Sequence, residues 1–172
     1  MGPAWMEVMA GVRDHTELDA WKLSDAVQKE VERITSSPSF NRYPRLKDQM
    51  QRASESPCPN IAEGFSRYYP REIARFVRIA TGSLSELLDH LKLATRRRLV
   101  SEEDARNLES LAKRARGAST KWVRYLEATP PSGPRPGDEA RNLDPSNHAP
   151  EPRNRRTRTR NGAPRNPDRD RK

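Results

Sequence analysis

Between Pro70 and Arg97 the apolar residues Ile73, Phe76, Val77, Ala80, Leu84, Leu87, Leu88, Leu91 and Ala94 recur at steps of three and four. That spacing lays one wide apolar face along an α-helix, whereas a strand would alternate every second residue. Pro70 suits the first helical turn, where its missing N–H would have no partner in any case. At about 1.5 Å per residue the helix spans roughly 40 Å.

Three further segments share the period. The first starts near Glu17 and ends near Ser36, with Leu18, Trp21, Leu23, Val27, Val31 and Ile34 inward and Ser36-Ser37-Pro38 as its stop. The second opens at Pro44 and carries Leu46, Met50 and Ala53, after which Ile61 and Phe65 resume the apolar contact on either side of Gly64. Between these halves Pro57 and Pro59 remove two backbone donors and are expected to kink or break the helix. The last begins at Ser101, a suitable cap, followed by Glu102, Glu103 and Asp104, where the helix dipole favours negative charge. Ala105, Leu108, Leu111, Ala112, Ala115, Trp122, Val123 and Leu126 carry it to about Glu127. With no strand-like window and short connections, the expected fold is all-α, an antiparallel up-and-down four-helix bundle over residues 17–127. About 110 residues in that form suffice for one core.

The flanks differ. Residues 1–16 show little periodicity and read as a flexible segment. From Thr129 onward the chain holds nine of its fifteen prolines and no aromatic residue. Such a composition buries too little apolar surface to offset chain entropy, so 128–172 is expected to be a disordered tail. The tail carries eleven basic side chains against six acidic ones, densest at Arg153, Arg155, Arg156, Arg158 and Arg160. An arm of this kind suits non-specific RNA or DNA contact, or serves as a solubilising extension. The whole chain of 172 residues has 33 Lys+Arg against 24 Asp+Glu, a formal charge of +9. That surplus favours polyanions through counterion release, although a solvated charged surface accounts for it equally well.

Residues Leu18 to Leu126 resemble the bacterial four helix bundle proteins, also called 23S rRNA-intervening sequence proteins. The resemblance rests on the turn Asn60-Ile61-Ala62-Glu63-Gly64 and on Phe76 with the Gly82-Ser83-Leu84-Ser85-Glu86-Leu87 pattern. Trp21 and the Leu99-Val100-Ser101 entry to the last helix also match. Ser56-Pro57-Cys58-Pro59 departs from the family, which places an apolar residue and one Pro ahead of the Asn. The resemblance implies a homo-oligomeric helical bundle, a pentamer in the best-described relatives, and no active site. A more distant similarity is to the accessory protein of diversity-generating retroelements, a basic ring that works with a reverse transcriptase and nucleic acid.

The residues themselves suggest structural roles for the motif. Gly64 is expected at a left-handed or close-packed position. Asn60 can bond backbone groups at the break, and Glu63 can pair with Arg71 or Arg75 or accept backbone N–H bonds. Gly82 and Ser83 are expected to permit close helix–helix approach.

Catalytic chemistry finds no support. Cys58 is the single cysteine, and His15, His90 and His148 are scattered. Glu86 and His90 stand four apart, whereas a di-iron bundle needs a three-residue step on two helices and two more inward Glu. No phosphate-cradling Gly loop or nucleophile elbow occurs, so no catalytic residue, cofactor or metal is assigned. No basic leader precedes an apolar run, and no stretch of about 18 apolar residues exists, so a cytoplasmic protein off the membrane is expected.

What remains is charge and assembly. Arg71, Arg75 and Arg78 form a basic stripe on the third helix, which Arg96, Arg97 and Arg98 extend to its end. Arg106, Lys113, Lys121 and Arg124 can share an outward face of the fourth. These are the candidate contacts to nucleic-acid phosphates, with surface ion pairing as the alternative. Tyr68 and Tyr69 can stack on an unpaired base or pack in a core or interface. The long third helix and Trp122 offer more apolar face than one small bundle uses, which points to a homo-oligomer. Two readings stay open: a nucleic-acid-associated bundle, and a structural or adaptor bundle that binds another protein.

Overall fold

The computed structural model describes residues 11–129. The expectations for residues 1–10 and for the tail from residue 130, the Arg153–Arg160 cluster included, lie outside the described residues. A 3-10 turn, His15–Glu17, leads into α1 (Asp19–Thr35). A second 3-10 turn, Pro38–Arg42, precedes α2 (Pro44–Glu55), and α3 (Pro57–Phe65), α4 (Pro70–Arg96) and α5 (Glu102–Ala128) follow. No strand occurs among the described residues.

These helices make four arms, because α2 and α3 are one arm interrupted at Ser56. Pro57 and Pro59 cannot donate to the carbonyls four residues earlier, so the hydrogen-bond ladder lapses there. The backbone nevertheless stays helical at Ser56 (φ −64°, ψ −36°), and the flanking bonds Ser56 N–H to Arg52 O (3.2 Å) and Asn60 N–H to Ser56 O (3.4 Å) survive.

Cross-arm pairs set the directions. Gln51 donates to Thr35 Oγ1 at 3.2 Å, while Cys58 meets Trp21 O at 3.9 Å, so the second arm runs back along α1. Ser56 meets Ser83, and Gly64 lies against Ile73 and Phe76, so α4 reverses again. Arg116 reaches Ser85 and Glu127 pairs with Arg78, which makes α5 antiparallel to α4. Arg33 near the end of α1 pairs with Asp104 at the start of α5, closing the circuit. The result is an up-and-down bundle.

Its core is where the periodicity places it. Val27, Val31, Met50, Leu84, Leu87, Leu91, Leu108, Ala112 and Ala115 are buried in one cluster, and Ile73, Val77, Val123 and Leu126 fill the end beside the α3–α4 turn. Each fully buried leucine contributes about 1.5–3 kcal/mol of apolar transfer. Phe40, on the turn between α1 and α2, is wholly buried in the same cluster. The buried hydroxyls of Ser24 and Ser119 donate to the carbonyls one turn back, Ala20 at 2.7 Å and Ala115 at 3.0 Å. Phe76 departs from the expected core: it is half-buried, and the Arg67 guanidinium covers its ring at 5.2 Å from the centroid.

Candidate nucleic-acid interface

Arg71, Arg75 and Arg78 are exposed on the first turns of α4. The Arg78 guanidinium pairs with Glu127 near the end of α5. Arg75 and Arg124 each lie about one turn from that pair along their own helices, so the pair draws both toward one end of the α4–α5 face. Arg71, Arg75 and Arg124 have no carboxylate partner among the described residues. Positive charge is therefore in excess here: four arginines stand with two carboxylates, Glu127 engaged by Arg78 and Glu72 exposed on the turn of Arg71 and Arg75.

The basic stripe is not continuous. On the outer side of α4 between Arg78 and Arg96 come Ile79, Gly82, Glu86 and Asp89, and Lys92 is paired with Asp89 at 2.9 Å. The helical phase that sends Val77, Ala80, Leu84 and Leu87 inward turns these residues outward. Arg96, Arg97 and Arg98 thus form a separate exposed group, with Arg97 stacked over Tyr43 at 4.8 Å from the ring centroid. On α5, Lys113 pairs with Glu109 at 2.7 Å and Arg106 with Glu102 at 3.4 Å, while Lys121 is exposed at a hollow toward α1 that Leu18, Trp122 and Tyr125 line. A groove of about 770 Å³ between α4 and α5 has a floor of Leu88, Leu91 and Ala105. Its rim alternates Lys92, Arg96 and Arg106 with Asp89, Glu102 and Glu109, so it has little net field to draw a polyanion.

Arg116 belongs to this face although periodicity does not single it out. Its Nη1 stands 3.5 Å from Ser85 Oγ across the α4–α5 seam, half-buried and without a carboxylate partner among the described residues.

The motif residues surround the α3–α4 junction. Asn60 Nδ2 donates to Ser56 O at 2.8 Å, and Ile61 is fully buried. Ala62 is half-buried, and Glu63 pairs with Arg67 one turn on rather than with Arg71 or Arg75. Gly64 is close-packed rather than left-handed: a Cβ there would stand 3.2 Å from Phe76 Cβ and 3.3 Å from Ile73 O. Ser83 approaches the second arm, as its contact with Ser56 at 2.8 Å demonstrates. Gly82 does not. It is exposed and its Cβ position meets nothing within 4 Å, because the phase of α4 turns it outward.

Reactive groups are muted. Burial, with a smaller push from Asp25, raises the Cys58 thiol to about 11, so it stays protonated near neutrality. Glu86 and His90 meet at 3.3 Å on one exposed turn, and no cluster of three or more His, Cys, Asp or Glu able to hold a metal occurs among the described residues. No helix of the described residues is long and apolar enough to cross a membrane.

The sequence pattern of the 23S rRNA-intervening sequence protein family matches residues 16–120. The chain belongs to that family. No curated protein matches it. The family match takes in the Asn60–Gly64 turn, the Gly82–Glu86 pattern and Arg71, Arg75 and Arg78, whereas Lys121 and Arg124 lie beyond its last residue.

Proposed function

We propose that this member of the 23S rRNA-intervening sequence protein family is a non-enzymatic, self-associating bundle that holds RNA or DNA by its phosphates. The carrying observation is the excess of positive charge at Arg71, Arg75 and Arg124, none in an ion pair among the described residues, around the Arg78–Glu127 pair. Guanidinium groups on a rigid helical face bind phosphate oxygens without reading bases, so the contact is sequence-blind and sensitive to salt. The family's name refers to a 23S rRNA intervening sequence, which agrees with a nucleic-acid setting.

The test is fluorescence polarisation with single- and double-stranded oligonucleotides, using the full chain and a form ending at Ala128. Binding should weaken steeply with salt, and Arg71→Gln/Arg75→Gln/Arg124→Gln should flatten the log–log slope by about 2–3, near one per lost phosphate contact. Absence of binding below about millimolar Kd at low salt refutes the reading.

Self-association has its own support, which the alternative of a structural or adaptor bundle that binds another protein, with no nucleic-acid role, would share. Ile79 is 45% exposed and neighbours Gly82 on the outer face of α4. An apolar side chain beside a bare backbone suits close approach of another helix, and a second copy of this chain is the proposed occupant. Light scattering should give an oligomer, a pentamer if the best-described relatives are followed, and Ile79→Glu should dissociate it. A clean monomer mass at micromolar concentration refutes self-association.

A further inference from the structure

We propose that the end of the bundle where α2 begins and α4 stops is a binding site for a compact phosphate dianion. A cavity of about 350 Å³ there is lined by Arg42, Tyr43, Pro44, Arg45, Leu46 and Arg97. The three arginines are exposed and have no carboxylate partner among the described residues. No Asp or Glu occurs in 38–47 or in 90–101, the two segments that supply the lining, and the acids nearest in the chain, Glu102, Glu103 and Asp104 in the first turn of α5, are not among the lining residues. A cavity this basic attracts anions and offers nothing of its own to neutralise them.

The walls are built rather than incidental. Ser39 Oγ donates to Leu99 O at 3.0 Å, fastening the turn before α2 to the turn after α4. Phe40 roots the first wall in the core, and Tyr43 N–H bonds Phe40 O at 2.8 Å. The second wall is fixed by paired bonds at the end of α4, Arg98 N–H to Thr95 O (2.9 Å) and Leu99 N–H to Ala94 O (3.0 Å). The Tyr43 ring orients the Arg97 guanidinium by a cation–π contact.

The start of α2 adds to the field. Tyr43 supplies no side-chain cap, Pro44 has no N–H, and the first turn contains no acid. The Arg45 and Leu46 N–H groups lie where an α-helix has no acceptor of its own, at its positive end. Three arginines lining one hollow match the charge of a monoester or diphosphate better than the single charge of a diester. The site stands apart from the Arg71–Arg124 face, about 30 Å away along α4, and does not depend on it.

Calorimetric titration of the full chain with sodium pyrophosphate at low salt tests the site, alongside amide NMR of Arg45 and Leu46. Binding with shifts at both amides is expected, at least about tenfold weaker in Arg42→Gln/Arg45→Gln, which loses two charge-assisted contacts. Lys29→Gln/Arg52→Gln, which removes the same charge elsewhere, should bind as the parent does. No heat and no shift up to about 10 mM pyrophosphate, or equal binding by Arg42→Gln/Arg45→Gln, overturns the proposal. Competition against pyrophosphate then identifies the source. Preference for a 5′-phosphorylated over a 5′-hydroxyl strand assigns the site to strand ends, and equal competition assigns it to a small free phosphate compound.

Discussion

The Ser83 hydroxyl on α4 stands 2.8 Å from the Ser56 hydroxyl, at the residue where the second arm breaks. Ser56 also receives Asn60, whose side-chain amide donates to its carbonyl at 2.8 Å and its hydroxyl at 3.2 Å. Ser56 therefore takes the Asn60 side chain beside the break and ties the second arm to the neighbouring helix. Gly64 against Phe76 makes the second contact of the same junction. Ser83 and Gly64 thus both lie on the contact between the second arm and α4, while Gly82 and Glu86 face outward.

Asn60→Ala should lower stability by about 0.5–1.5 kcal/mol, the usual cost of a lost side-chain hydrogen bond. Urea denaturation followed by circular dichroism measures it. A helix content equal to the parent's with a lower midpoint is the expected result, since the buried apolar faces are untouched.

The two motif glycines should respond oppositely to alanine. At Gly64 the new methyl would crowd Phe76 Cβ and the Ile73 carbonyl, so Gly64→Ala should destabilise by about 1–3 kcal/mol. At Gly82 the space is open and the backbone helical, so Gly82→Ala should stabilise the subunit by up to about 1 kcal/mol. Thermal melts of both variants at one protein concentration make the comparison. A drop in oligomer mass for Gly82→Ala would mean that a second helix uses the bare backbone.

How far the sequence carried depended on whether a residue obeys a period. The inner stripe of α4 apart from Phe76 is buried as its spacing requires, and so are Leu108 and Leu126 of α5, with Leu111 half-buried. Phe40 follows no repeat because it sits on a turn between helices, so only packing reveals it as core. Gly82 illustrates the opposite failure: glycine in a helix suggests close approach, but its phase relative to Ala80 and Leu84 points it outward. The same phase argument breaks the arginine stripe after Arg78. Arg116 escapes detection because a charged residue at a seam has no signature distinct from an exposed one. The phosphate cavity needs two turns about 50 residues apart in the chain to meet, and only tertiary structure can report that.

Arg98 is the one non-glycine residue with positive φ (55°) among the described residues, at the position after the α4 cap where glycine is usual. A side chain in that conformation costs about 1–2 kcal/mol, of which the greater unfolded-state freedom of glycine returns about 0.5–1. Arg98→Gly should therefore raise stability by about 0.5–1 kcal/mol. A Tm higher by a few degrees is the measurement. An unchanged or lower Tm would mean that the side chain makes a compensating contact.

Cys58 should report unfolding. It is buried and its thiol is pushed up to about 11, so a thiol reagent at neutral pH should label the native chain slowly and the urea-unfolded chain at once. Because the folded value lies above the unfolded one, the associated stability is complete below about 9 and declines as pH rises toward 11. Cys58→Ser should flatten that alkaline decline.

Asp104 sets an acid limit at the opposite end of the scale. Ser101 Oγ donates to its carboxylate at 2.8 Å and accepts the Asp104 N–H at 3.0 Å, and Arg33 of α1 pairs with the same carboxylate. The Ser101 bond first, and then Arg33, hold this carboxyl below the usual aspartate range. A depressed folded value means that the stabilisation is full above the unfolded pKa and disappears as pH falls through the folded one. Asp104→Asn should therefore be less stable than the parent near pH 7, with the difference closing below about pH 4. Raising salt should shrink the neutral-pH difference too, because the Arg33 pair is partly exposed and is screened. Parallel urea titrations at pH 7 and at about pH 3 provide the check, and a difference that persists unchanged in acid would assign the role of Asp104 to helix capping geometry instead of charge.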